Sequence, residues 1–306
     1  MRNLFPLLRD KAVRTLREAQ FARVARGVRQ TPPVRATDDG VILFSMIGTR
    51  VVDAYLLAAK SLHARLGRGR FVVLDDGTLT AADRNTLAHH LDNPEIRPIA
   101  DVAVGDCPRG GCWERLLTLL ELRRDSYVIQ LDSDTVTLGP LDEIAAAIDA
   151  GRNFTLKGDA TSRWGPVADI AIPLDSLPDG AHVQARIEAV MHRIDAGLPQ
   201  PGHYVRGCAG FAGFAPGGLS RDVADAFSRE ASALLGGASW SQWGSEQVMS
   251  NVIVSNEGEP LLLPYDHYMN YWREPNLGRA SLVHFLGTCR YDRGMYVSAA
   301  RQAIAA

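Results

Sequence analysis

Short apolar runs and amphipathic stretches alternate along most of this chain, and that alternation predicts an α/β fold. "VILFSM" (41–46) is apolar except for Ser45, the pattern of a strand buried on both faces. "RVVDAYLLAAKSLHARL" follows, with Val52, Tyr55, Leu56, Ala59 and Leu62 three or four positions apart, as on one face of a helix. "FVVLDDG" predicts a second strand, "TAADRNTLAHHL" a helix capped by Thr80, and "EIRPIA" a third strand. "CWERLLTLLELRR" then predicts a helix and "YVIQL" a fourth strand. Strands and helices in this order build a parallel sheet through right-handed crossovers.

Beyond residue 131 the order loosens. "LDEIAAAIDAG" predicts a helix stopped by Gly151, and "NFTLKGD" a strand. Residues 160–202 read as an insertion with one helix on Val183, Ile187, Val190, Met191 and Ile194. "YVRGCAGFAGFAPGG" alternates small and bulky residues and reads as paired strands. Helices are expected near 219–235 and 243–254, and "SLVHFLG" in the tail is a short apolar strand. At the other end, residues 1–30 carry eight basic side chains against Asp10 and Glu18, with Leu8, Ala12, Leu16 and Ala19 at helical spacing. This is a basic amphipathic helix, expected to pack on its own domain, with contact to an anionic membrane surface or a partner as the alternative. "QTPPVRATDDG" (30–40) then reads as a linker. The expected organisation is a helix and linker over 1–40 and a main domain over 41–306.

Composition narrows the class without naming a chemistry. The chain has 306 residues, of which 46% are hydrophobic and 22% charged, enough for a sizeable core. A net charge of −2 argues against a nucleic-acid partner. The four cysteines form no CxxC pair, which fits free thiols in a reducing compartment. No apolar run approaches the roughly 18 residues of a membrane span, so the expected location is cytoplasmic, or peripheral at the membrane through the basic N-terminus.

The chemistry concentrates at "YVIQLDSDTVTLG" (127–139). An apolar strand runs into Asp132 and Asp134, two positions apart, at the strand end where parallel sheets bind ligands. Two bare carboxylates on one face repel, and a divalent cation removes that penalty. Oxygen ligands suit Mg²⁺ or Mn²⁺. The purely structural reading is an Asx turn.

Two enzyme classes carry this pattern. "VIQLDSDTV" resembles the DxDx[TV] motif of haloacid-dehalogenase phosphohydrolases, which would make Asp132 a nucleophile and Lys157 its partner. That class also has a downstream acidic pair, and "GDATSR" puts Arg163 where it wants Asp. The wider sequence resembles the GT-A glycosyltransferases, family 8 in particular. The resemblance covers roughly 41–292, more weakly over 160–202, and rests on the order of its pieces. They are "VILFSMIGTRVVDAYLLAAKSL", "WERLLTLLELRRDSYVIQLDSDTVTLGPLDEI", "GCAGFAGFAPG", "WGSEQVMSN" and "HFLGTCRY". In the last, Arg290 stands where the family has Lys and Tyr291 where it has Pro. In the fourth, Glu246 stands where Asp is common.

This resemblance implies a GT-A-like fold, a Rossmann-like mixed sheet flanked by helices. It implies a metal-dependent transferase moving a sugar from a nucleotide-diphosphate donor, UDP-sugar first, with retention of configuration. The acceptor (carbohydrate, lipid-linked or protein) stays open. Asp132, Asp134 and His284 would hold the metal, Mn²⁺ with Mg²⁺ as the alternative. Ser45, Gly48, Thr49, Asp75, Asp76, Arg115, Ser133, Gly287 and Arg290 would meet the donor, with Glu246 and Gln247 beside the anomeric carbon. Trp240 and Trp243 offer aromatic faces for an acceptor sugar. A third reading is a non-catalytic binder of nucleotide-sugar or carbohydrate.

Overall fold

The computed structural model describes the backbone from residue 4 and side chains from residue 12, Thr288 excepted. After helix α1 (Leu4–Ala25) the chain alternates as its periodicity predicts. The first half runs β1 (Val41–Ile47), α2 (Val52–Leu66), β2 (Arg70–Asp75), α3 (Ala81–His90), β3 (Glu95–Pro98), α4 (Trp113–Leu122) and β4 (Tyr127–Leu131). Thr80 caps α3 as expected, its hydroxyl accepting from the Asp83 N–H while Asp83 returns the bond.

The second half begins with β5 (Thr135–Thr137), α5 (Asp142–Asp149) and β6 (Phe154–Lys157). The insertion holds β7 (Gly165–Pro166), α6 (Val167–Ile170), α7 (Val183–Val190) and β8 (His203–Tyr204). Then come β9 (Gly207–Phe214), α8 (Arg221–Leu235), α9 (Gly237–Trp240), α10 (Ser245–Ser255), β10 (Leu261–Leu262), β11 (Tyr268–Asn270), β12 (Leu282–His284) and α11 (Met295–Ala305).

Seven strands form one mixed sheet in the order β10-β6-β9-β4-β1-β2-β3. Only β9 runs against the rest. Side chains alternate across it: Val41, Leu43 and Phe71 face a core shared with α1, α2 and α11, whereas Ile42, Phe44 and Val72 face α4, α7, α8 and α10. The expected α/β class, a Rossmann-like mixed sheet with helices on both faces, is the architecture observed.

Two readings need correction. "YVRGCAGFAGFAPGG" is not a pair of strands: one strand, β9, crosses the sheet between β4 and β6. Its small residues exist because neighbours fill the space above them, a Cβ on Gly213 coming within 2.7 Å of the Tyr127 Oη. In α1 the stripe Ala12, Leu16, Ala19 faces solvent, with Leu16 70% exposed, and the side chain of Leu8 lies outside the described residues. The buried stripe is Phe21, Ala25 and Val28, one turn further on, because that is where α11 and α2 meet the helix.

A second, three-stranded sheet, β11-β12-β5, sits at the carboxyl end of β4. It positions the candidate site, because the chain leaves β4, makes a tight turn through the Asp pair, and enters this second sheet as β5.

Candidate active site

β4 ends at Leu131, so Asp132 and Asp134 lie on a turn and not in the strand itself. The turn is held at both ends. Asp132 N–H donates to the Gly210 carbonyl (2.8 Å) and Thr135 N–H to the Asp132 carbonyl (3.2 Å), while the Asp134 carbonyl accepts from Phe285 N–H (2.8 Å). The carboxylates converge by turn geometry where the sequence reading expected strand alternation.

His284 arrives from the far end of the chain. β12 pairs antiparallel with β5 so that His284 stands opposite Thr135. Its Nε2 lies 3.2 Å from Asp134 Oδ1 and 3.8 Å from Asp132 Oδ2. One ligand atom from each of the three residues falls within 4.8 Å of the others. Donors bound to one ion at about 2.1 Å lie roughly 3–4 Å apart, and the two distances from His284 Nε2 fall in that range. Two carboxylate oxygens and an imidazole nitrogen make a mixed oxygen and nitrogen donor set for a divalent cation.

The orientation of His284 is set by Asn270, a residue no sequence signal singled out. The Asn270 Nδ2 donates to the carbonyls of Lys157 (2.8 Å) and Gly158 (3.3 Å). Its Oδ1 is therefore an acceptor, and it lies 3.0 Å from His284 Nδ1. This assigns the Nδ1 proton and leaves Nε2 to face the two aspartates. Such a partner on the remote ring nitrogen is characteristic of metal-binding histidines. Burial alone would lower the His284 pKa, but the Cys208 sulfur and the Asp134 carboxylate outweigh it and hold it well above the usual imidazole value. Burial likewise opposes ionisation of Asp134, and His284 and Arg290 overcome that and lower its pKa.

Two arginines flank the cluster. Arg115 of α4 is buried and pairs with Asp132 on one side and Glu246 on the other (3.2 Å to both carboxylate oxygens). Glu246 lies in the first turn of α10 and is 3% exposed. Burial pushes its pKa up to about 7, with Arg115 pulling the other way. Arg290 pairs with Asp134 and donates from Nε to the Phe285 carbonyl (3.1 Å). Ser133 and Asp134 border the same cleft as Arg290. Gln247 is half-buried, its Oε1 accepting from Ala209 N–H at 3.3 Å. Gly287 begins the short turn leading to Arg290.

The remaining predicted residues cluster at the ends of β1 and β2. Thr49 borders the cleft. Ser45 is buried and donates to the Leu131 carbonyl (2.6 Å), a strut between strands. Asp75 is buried, pairs with Arg84 and accepts from Gly77 N–H (2.9 Å). Asp76 closes an Asx turn onto Thr78 N–H (2.9 Å), and that turn packs against Gly48 with no room for a Cβ. Thr49 donates to Asp83 (2.7 Å). Trp240 is corrected: it is fully buried against Trp113 and Phe227, so it offers no face to a ligand. Trp243 and Trp272 are the exposed tryptophans, at 74% and 54%.

No family model and no curated protein matches the sequence. Solved structures do match. One is the bifunctional glycosyltransferase WbbM in its apo form, with 13% identity over 90% of this chain and a TM-score of 0.47. This chain spans about half of that protein, 52% of its length. A second is the galactosyltransferase LgtC with donor and acceptor sugar analogues, 12% identical, with 85% of this chain and 95% of that chain covered and a TM-score of 0.45. A third is core-mannan synthase A from Aspergillus fumigatus in an Mn/GDP form, 9% identical, with 76% and 75% covered and a TM-score of 0.44. Their likeness to this chain is one of fold.

Proposed function

We propose that the chain is a metal-dependent glycosyltransferase of the GT-A kind, nearest to family 8 in the order of its motifs, that transfers a sugar from a nucleotide-diphosphate donor. The observation that carries the reading is the convergence of Asp132, Asp134 and His284, flanked by Arg115 and Arg290, in front of a cleft. Departure of a nucleoside diphosphate from a sugar builds negative charge on the leaving oxygen. A Mn²⁺ or Mg²⁺ ion held by the three residues would supply Lewis-acid stabilisation of that charge.

The chain's own residues divide the remaining work. Arg290 can swing a fork of donors from Asp134 to a phosphate. Arg115, locked by Glu246, holds the outer oxygen of Asp132 and fixes how that carboxylate faces the cleft. Glu246 therefore acts as a positioning residue for Arg115, and Gln247 is the group of the pair with exposed surface for the sugar. Thr49 and Ser133 border the donor cleft, while Ser45, Gly48, Asp75 and Asp76 brace the ends of β1 and β2 next to it. Retention of configuration follows the family resemblance, and a UDP-sugar is the first donor to try.

The test is incubation with Mn²⁺ and a panel of UDP- and GDP-sugars, read as slow donor hydrolysis without acceptor. Turnover of one donor is expected, and Asp134→Asn should lower it on the order of 10³-fold, about 4 kcal/mol of barrier. Cleavage of simple phosphate esters with no donor turnover would replace the transferase by a phosphohydrolase. Donor binding without turnover would leave a binder.

A further inference from the structure

The N-terminal helix adds a wall to this cleft, and it brings arginines with it. Phe21 of α1 stacks on Tyr296 of α11, ring centroids 3.7 Å apart at 23°. Tyr296 stacks in turn on Phe285 at 4.3 Å, and Phe285 follows His284 in the chain. A continuous aromatic column thus fastens α1 to the strand that carries the candidate metal ligand. Between α1 and the first turn of α2 lies a cleft of about 350 Å³ that opens onto Ser133, Asp134 and Arg290.

The charges in that cleft are unequal. Arg26 and Arg29 enter from the α1 side, Arg50 from the α2 side and Arg290 from the tail, facing Glu18, Asp53 and Asp134. Arg29 is matched by Asp53 (2.5 Å) and Arg290 by Asp134. Among the described residues Arg26 and Arg50 enter no ion pair, and both are exposed. One positive charge is in excess, and a divalent cation at the aspartates would raise that to three. A leaving nucleoside diphosphate carries roughly three negative charges at neutral pH. Guanidinium forks from opposite walls suit two adjacent phosphates better than they suit one.

We propose that Arg26 and Arg50 are diphosphate-binding residues of the donor site, and that the N-terminal helix is a working part of that site. The inference rests on the glycosyltransferase reading. It assigns a donor contact to a segment outside the span of the family resemblance. Donor binding then draws α1 and α2 together through the shared anion, and the salt dependence of binding reflects both arginines.

The experiment uses the full chain with Mn²⁺ and, as probes, UDP and GDP, titrated calorimetrically. Arg26→Glu and Arg50→Glu should each raise the nucleotide Kd at least tenfold while leaving Mn²⁺ affinity without nucleotide, and the Tm of the nucleotide-free protein, unchanged. Arg26→Lys should recover most of the loss. Hydrogen exchange should show amides of residues 19–30 protected when UDP or GDP binds. Parent-like nucleotide affinity in both Glu variants, or no protection of 19–30, overturns the proposal and leaves the transferase reading standing. A parent chain that binds neither UDP nor GDP overturns both. Loss of binding to vesicles of anionic phospholipid in Arg26→Glu, with nucleotide affinity intact, assigns the arginine to a membrane surface instead.

Discussion

A single methyl group at Gly210 should separate the candidate metal site from the fold around it. A Cβ there would stand 2.6 Å from Nδ1 and 2.7 Å from Nε2 of His284, where ordinary contact begins at 3.4 Å. Cε1 of the ring is nearer still, so the ring must withdraw by about 1.1 Å, taking Nε2 away from Asp132 and Asp134 and Nδ1 out of line with Asn270. Gly210 is not in a left-handed conformation, so the backbone accepts alanine without strain. The cost is overpacking, about 1–3 kcal/mol, less the 0.4–1 kcal/mol that Gly→Ala recovers through the unfolded chain. For a chain of this length the Tm should drop by up to about 4 °C. Metal affinity should fall about 10–100-fold, the usual effect of disturbing how a ligand histidine is held.

The control lies in the same strand. A Cβ on Gly213 would meet the Phe154 ring and come within 2.7 Å of Tyr127 Oη, so Gly213→Ala should lose comparable stability. It stands three residues from the site-facing glycine and should leave Mn²⁺ affinity alone. Thermal unfolding and Mn²⁺ titration of both variants test the pair. Equal metal affinity in Gly210→Ala and the parent, with both variants equally destabilised, would show that His284 is not a ligand.

Other consequences follow from the same contacts. Asn270→Leu frees the His284 Nδ1 proton from its acceptor, and Mn²⁺ affinity should fall about 10–100-fold by titration with little change in circular dichroism. Arg123 is buried and pairs in a fork with Glu257 while donating to the Ala215 carbonyl. Arg123→Ala should cost about 3–5 kcal/mol in urea unfolding, and removing Glu257 as well should restore part of it. His63 packs beside Phe71 with its Nε2 unpartnered, and burial lowers its pKa below 6.5. The unfolded chain therefore takes up this proton first, so the contribution of His63 to stability should decline as pH falls below about 6.5 and be flat above it. His63→Leu should flatten that decline in urea midpoints measured between pH 7.5 and 5.5.

Local interactions decided what could be read without coordinates. The period of apolar residues placed β1, α2, β2, α3 and β4, and Thr80 began α3 where capping chemistry says it must. Each of these depends on residues within a few positions of one another. The Asp pair was legible for the same reason, since an apolar strand emptying into two carboxylates is a local contradiction that asks for a cation.

The rest needed the register of distant strands. His284 was named by resemblance to a family motif, and Asn270 not at all. Pairing of β5 with β12 and of β12 with β11 is what places both beside Asp134. The small residues of β9 looked like paired strands until the ring above Gly210 and Phe154 above Gly213 supplied the reason for their size. Likewise the helical period of α1 fits more than one buried stripe, and docking against α11 selected Phe21, Ala25 and Val28. Which side chains converge from 130 or more residues apart is settled by sheet order and packing, terms that no window of the sequence contains.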